Sequence, residues 1–309
     1  MRVLFAGSPG AAVPTLQSLY NSSHQVVGVL TQPARPAGRK KLLVPTPVEQ
    51  HARELGIPVF TPTDSRDIRD VVSVVNPDVA IVVAYGRILD EETLASVSLG
   101  WWNVHFSLLP QWRGAAPVHH ALAAGDATTG VTLFRIIREL DAGPIAVQTK
   151  VTIDAHDTEG LLLQRLSGIA PDLVSELLHS LATDSLVLAD QVGEPSFAPK
   201  LPHGAGGLDL RENLETVYRA FRSFTPEPGA FLKRVDTQQI IKIVGAWPHP
   251  GTKVVRMGAV ALDDTGVLVG TKTQPLVLRR VKPAGKTEMN AEDWFRGLPW
   301  DTRMHVGPS

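Results

Sequence analysis

The chain of 309 residues contains no cysteine. That removes disulfides, thiol nucleophiles and thiolate metal sites together. Long apolar runs are missing as well. Stretches such as Val79–Tyr85 fall well short of the roughly 20 residues a membrane helix needs, so no membrane partner is expected. The opening, MRVLFAGSPG, runs straight into a strand-like segment. It lacks the charged region, long apolar core and small-residue cleavage site of an export signal. A cytoplasmic location is the expectation.

What is present fits a globular protein able to bury a sizeable core, with 43% hydrophobic and 20% charged residues. The length suits two compact domains. Net charge is only −1, yet its distribution is uneven. Residues 1–199 carry 14 Lys and Arg against 20 Asp and Glu, and residues 200–309 carry 16 against 11. A basic second half hints at a polyanionic partner, although ordinary surface variation gives the same pattern.

The first half alternates short apolar runs with helical spacing. Strands are expected at Arg2–Ala6, Gln25–Leu30, Val79–Ala84, Trp102–His105 and Val131–Ile136. Helices are expected near Ala12–Tyr20, Val48–Leu55, Ile68–Val75, Ala115–Ala124 and Asp157–Leu181. Such alternation implies a Rossmann-like α/β fold, a mostly parallel sheet with helices on both faces. Ligands then bind beyond the carboxyl ends of the strands. Residues 190–207 have linker composition, rich in Gly and Pro. Beyond them come a helix at Glu212–Phe221 and five short β-rich runs, a pattern that suggests an OB-like β-barrel. The expected organisation is therefore a catalytic domain over 1–189, a linker over 190–207 and a second domain over 208–309.

The segment Trp101–Pro117, WWNVHFSLLPQWRGAAP, is the most informative. Asn103 and His105 stand two apart at a strand end, so both side chains share one face. An amide beside an imidazole can hold a carbonyl oxygen and manage a proton at one spot, as acyl transfer requires. A structural histidine before a proline-ended loop fits the same letters. Asp141, in the loop Glu139–Pro144, is either a plain turn residue or the carboxylate that orients His105. Thr31–Pro47, TQPARPAGRKKLLVPTP, sets Arg35, Arg39, Lys40 and Lys41 among prolines with no apolar period. Those cations suit phosphates, with Leu42 and Leu43 as wedges against a base pair; a solvated basic loop is the alternative. Two further patterns are set aside. Gly7-Ser8-Pro9-Gly10 does not fit a dinucleotide loop, and Pro9 lacks the N–H a phosphate wants. His119 and His120 are adjacent on a helix and diverge, so no metal site is expected.

Taken together, NVHFSLLPQWRGAAP and LDAG resemble the signature of the folate-dependent formyltransferases. The resemblance implies 10-formyltetrahydrofolate as co-substrate and an Asn-x-His…Asp catalytic set at Asn103, His105 and Asp141. It implies a folate pocket bordered by the stretch Ala84–Leu89, with Tyr85, Gly86, Ile88 and Leu89, and by Ser107, Leu108, Leu109 and Pro110. The opening FAGSPGAAVPTL and the basic loop are similar to the branch that formylates initiator methionyl-tRNA. On that likeness Arg35, Arg39, Lys40 and Lys41 would contact tRNA. A monomer is expected by default, since the sequence shows no obvious dimer stripe. The motifs FAPK, YRAF, PGA and VKPAGK resemble the family's C-terminal domain. Phe106, Gln111, Arg138-Glu139 and residues 201–210 depart from the family pattern. An amino-sugar nucleotide formyltransferase and a non-catalytic tRNA-binding protein are the alternatives.

Overall fold

A computed structural model describes residues 1–37 and 42–307. It contains two compact units. One comprises residues 1–117, 128–152 and 163–200; the other comprises 118–127, 153–162 and 201–309. Among the described residues no helix is long and apolar enough to cross a membrane.

In chain order the elements up to residue 200 are β1 (Arg2–Gly7), α1 (Val13–Asn21), β2 (Gln25–Leu30), β3 (Arg35–Ala37), β4 (Leu42–Val44), α2 (Pro47–Glu54), β5 (Val59–Phe60), α3 (Ser65–Val75), β6 (Val79–Val83), α4 (Glu91–Ala95), β7 (Trp101–His105), β8 (Arg113–Gly114), α5 (Pro117–Ala124), β9 (Thr128–Arg135), β10 (Ile145–Thr152), α6 (Glu159–Ala182) and β11 (Phe197–Ala198). The helix starts follow from local chemistry. Thr46, Asp64 and Asp90 each accept a backbone N–H three residues on, capping α2, α3 and α4.

Seven strands form one sheet in the order β10-β9-β7-β6-β1-β2-β5. Pairings from β7 through β5 are parallel, and β9 and β10 join antiparallel at one edge. All five residues of β6 are buried, as expected for a strand covered on both faces. On one face Leu4, Ala6, Ala80 and Val82 pack against Ile68, Val72 and Val75 of α3. The chain leaves β1 toward β2 and later returns to the other side of β1 as β6. That reversal opens a crevice at the carboxyl ends of β1, β6 and β7. The expected strands match β1, β2, β6 and β7 closely, but neither the two-residue parallel strand β5 nor β10, an edge strand with half-buried and exposed residues, was registered.

The other unit adds α7 (Leu214–Ser223), β12 (Phe231–Lys233), β13 (Ile240–Pro248), β14 (Val260–Asp263), β15 (Gly266–Val269), β16 (Leu276–Pro283), β17 (Met289–Asn290) and α8 (Ala291–Arg296). Its sheet runs β12-β13-β16-β15-β14, with β17 beside β16. A short closing segment joins the two ends. Met304 bridges Arg234, just past β12, and Arg303 bridges Ala259, just before β14. The sheet thereby curls into a barrel-like form, as the five β-rich runs implied. Val217 and Phe221 of α7 share a core with Ile241, Ile243, Val267, Leu278 and Met304. One of the five β-rich runs, residues 254–262, is strand only from Val260 onward.

Candidate active site

A cavity of about 810 Å³ lies beyond the carboxyl ends of β6 and β7. Tyr85, Gly86, Ile88 and Leu89 from the loop after β6 line it. So do Asn103 and His105 of β7 and Ile136–Asp141 after β9. Arg113, Gly114, Phe197 and Lys200 complete much of the remaining wall. Cavities of this size, mostly apolar with a few converging polar groups, hold small-molecule ligands. Ile88 and Leu140 line it while 87% and 60% exposed, so apolar surface waits there for a flat partner. The loop after β6 is tied down at the Tyr85 carbonyl, which accepts bonds from Ser8 Oγ and Gln32 Nε2, each at 3.2 Å. The Tyr85 hydroxyl is buried without a hydrogen-bond partner among the described residues, and burial pushes its pKa up to about 12.

His105 is buried, and its Nε2 lies 2.8 Å from the Trp112 carbonyl. A carbonyl only accepts, so Nε2 carries the hydrogen, and the neutral ring keeps its lone pair on Nδ1. Asp141 Oδ2 stands 3.8 Å from Nδ1. That is beyond hydrogen-bond reach, so the carboxylate acts on the neutral ring through charge. Burial pulls the His105 pKa below its ordinary 6.5, against the opposing influence of Asp141 and the Trp112 carbonyl. The Asp141 carboxylate itself accepts the Gly114 N–H at 2.8 Å. Asn103 makes no hydrogen bond through its amide among the described residues, although it lines the cavity beside His105. A pair of unspent amide donors, a basic nitrogen and a carboxylate are therefore gathered at one place, which suits acyl transfer.

Two backbone positions hold this arrangement. Asp141 has φ +48°, a left-handed conformation that Asp tolerates better than most residues. Two residues on, a Cβ at Gly143 would sit 1.8 Å from the Arg135 carbonyl oxygen, so only glycine fits.

The structure brings Asn103, His105, Asp141, Tyr85, Gly86, Ile88 and Leu89 to one cavity. It does not bring Ser107, Leu108, Leu109 and Pro110 into that wall. Ser107 is fully buried, with Oγ donating to the Gln111 carbonyl at 2.5 Å, and Gln148 Nε2 donates to the Leu109 carbonyl at 3.1 Å. Arg35 is exposed on β3, which pairs antiparallel with β4. Leu42 and Leu43 on β4 are also exposed, at 64% and 69%. Arg39, Lys40 and Lys41 lie outside the described residues. Sequence reasoning did not single out Arg113 and Gly114, although they stand inside the most informative segment. It read the stretch before Lys200 as linker, whereas Phe197 and Lys200 line the cavity.

Known proteins resemble this chain over nearly its whole length. Residues 1–178 match the model of the formyl transferase family, and residues 200–299 match that of the formyl transferase C-terminal domain. A methionyl-tRNA formyltransferase of Paenarthrobacter aurescens is 42% identical, covering 98% of this chain and 99% of that protein. One of Leifsonia xyli is 43% identical over 96% and 97%. Among solved structures, HypX from Aquifex aeolicus in complex with tetrahydrofolic acid is 17% identical with a TM-score of 0.69, over 96% of this chain and 47% of that one. WlaRD, a sugar 3N-formyl transferase, gives 14% and 0.66 over 93% and 99%. By its sequence over nearly the full length, this chain belongs to the formyl transferase family and carries both of that family's domains.

Proposed function

We propose that the chain transfers the formyl group of 10-formyltetrahydrofolate to the amino group of initiator methionyl-tRNA, for translation initiation. The observation that carries the chemistry is the convergence of the Asn103 amide, the His105 Nδ1 lone pair and the Asp141 carboxylate on one cavity. Near-full-length identity of 42% and 43% to methionyl-tRNA formyltransferases supports the acceptor. The amino-sugar reading lacks comparable support, because the sugar formyltransferases among the solved structures share the fold at only 14% to 20% identity.

The pteridine of the folate suits the apolar wall of Ile88, Leu89, Val104 and Ile136, with its formyl group toward Asn103 and His105. Tyr85 and Gly86 shape the same wall. Ser107–Pro110 back this region through shape, since their polar groups are already engaged. The acceptor amine attacks the formyl carbon directly. A new C–N bond forms, and the former carbonyl oxygen takes negative charge. Asn103 donates an N–H to that oxygen. His105 Nδ1 accepts the proton that the amine sheds, and Asp141 stabilises the resulting imidazolium. Once protonated, Nδ1 becomes a second donor near the oxyanion. The bond to the folate nitrogen then breaks, and the proton passes to that nitrogen as it leaves. No covalent enzyme intermediate is required.

Arg35, Arg39, Lys40 and Lys41, with Leu42 and Leu43, are the groups we assign to the tRNA, and the C-terminal unit is assigned to the same partner. The enzyme is proposed to act as a cytoplasmic monomer, where charged tRNA and reduced folate are both supplied. Incubation with 10-formyltetrahydrofolate and either charged initiator tRNA or an amino-sugar nucleotide tests the acceptor; formylation of the sugar alone would refute it. Asn103→Ala and His105→Ala should each lower turnover by about 10²–10³ while melting temperature holds, measured by formyl-methionyl-tRNA formation. Near-normal turnover in either variant would remove the catalytic assignment.

A further inference from the structure

Both groups that support the proposed catalytic pair belong to one short stretch, Trp112–Gly114. The Trp112 carbonyl holds His105, and the Gly114 N–H holds the Asp141 carboxylate. That stretch is itself braced by residues 191–198. Ser196 Oγ accepts the Trp112 N–H at 2.8 Å, and the Ser196 carbonyl accepts the Arg113 N–H at 2.9 Å. Phe197 and Ala198 pair in parallel with Arg113 and Gly114.

Gln191 adds a tie of another kind. Its Oε1 accepts from Arg113 Nε at 3.1 Å and from an Arg113 terminal nitrogen at 2.6 Å. Its Nε2 donates to the Asp141 carbonyl at 2.8 Å and the Gly143 carbonyl at 2.9 Å. The amide is thus used to capacity: two donors to two carbonyls, and its oxygen to one guanidinium. The carbonyls it grips belong to Asp141, whose φ is +48°, and to Gly143, which lies under the Arg135 carbonyl. Nothing in a Gly- and Pro-rich stretch announces such a contact.

We propose that Gln191 is a positioning residue for formyl transfer, fixing the Asp141 carboxylate opposite His105 by bonding the main chain at Asp141 and Gly143 while locking Arg113. The proposal rests on the catalytic reading of His105 and Asp141. A displaced charge near a buried imidazole changes turnover far more than substrate capture, because Gln191 lies outside the cavity wall and Arg113, which lines it, stays held through its backbone by residues 196 and 197.

A double-mutant cycle tests it. Gln191→Ala should lower kcat roughly 10-fold to 10²-fold, with the KM for folate and for tRNA within about twofold. In an Asp141→Asn background the same change should cost little, since the charge it positions is gone. An equal loss in both backgrounds would overturn the proposal in favour of a general structural role. Gln191→Glu separates the two halves of the contact. It keeps an acceptor for Arg113, now as an ion pair, but sets oxygen against two carbonyls, so it should lose activity as Gln191→Ala does. Near-normal kcat in Gln191→Glu would also overturn the proposal. If Asp141→Asn alone left kcat unchanged, the site reading would fail and this proposal with it, a result distinct from a failure at Gln191.

Discussion

His105 spends Nε2 on a carbonyl, and in the proposed mechanism Nδ1 is the base, so its protonation would set the acid side of the reaction. Burial lowers its pKa below 6.5 in the folded chain. The neutral, proton-accepting ring therefore persists to lower pH than an exposed histidine would allow. The acid limb of kcat/KM is expected below pH 6.5. Asp141 raises the ring's pKa, so the residual activity of Asp141→Asn should show its limb at still lower pH. A limb that moved upward in that variant would contradict the assignment. Stability has the same sign. The unfolded histidine binds its proton more tightly than the folded one, so this residue's contribution falls as pH drops from 6.5 through the folded value. Glu159 carries the opposite sign. Burial and the nearby Glu227 push its carboxyl up to about 7 from 4.5. The folded state favours its neutral form, so stability is lost as pH rises between those values. Glu159→Gln should raise the melting temperature at pH 8 and change it little at pH 4.5, a gain of at most a few kcal/mol by thermal unfolding.

At the scale of single elements, sequence and structure agree where one physical signal dominates. β6 was legible because both its faces are covered, giving an unbroken apolar run. α3 was legible because Ile68, Val72 and Val75 recur at helical spacing toward the sheet. β10 escaped notice because it is an edge strand in which Gln148 and Lys150 interrupt the apolar residues. β3 and β4 escaped for a different reason. Arg35 and Pro36 of β3 are exposed, and Leu42, Leu43 and Val44 of β4 are all exposed, so no alternation of buried and exposed residues marks them. Exposed leucines on a basic hairpin are costly unless a partner covers them, which fits the proposed role against tRNA. Replacing Arg39, Lys40 and Lys41 with neutral residues should raise the KM for tRNA several-fold and leave folate binding unchanged, read by steady-state kinetics and folate titration. The candidate site shows the same division. Asn103 and His105 were legible because strand alternation places them on one face. Gln191 was not, because long-range hydrogen bonding leaves no local pattern.

At the scale of the whole molecule, the second unit is completed by its last described residues. Met304, 2% exposed, packs in the core while its backbone bridges Arg234. Met304→Ala should destabilise the protein by about 2–5 kcal/mol, measured by denaturant unfolding. The contrast in charge between the halves has a kinetic counterpart. Raising salt from about 50 to 200 mM should weaken tRNA use steeply and folate use little.

The run that follows Ala189 reads as a tether and behaves as masonry. Severing the polypeptide inside it would leave the imidazole and the carboxylate present but unsupported. Any exchange of the C-terminal segment between formyl transferases must therefore make its junction beyond Lys200, the last residue of the first unit.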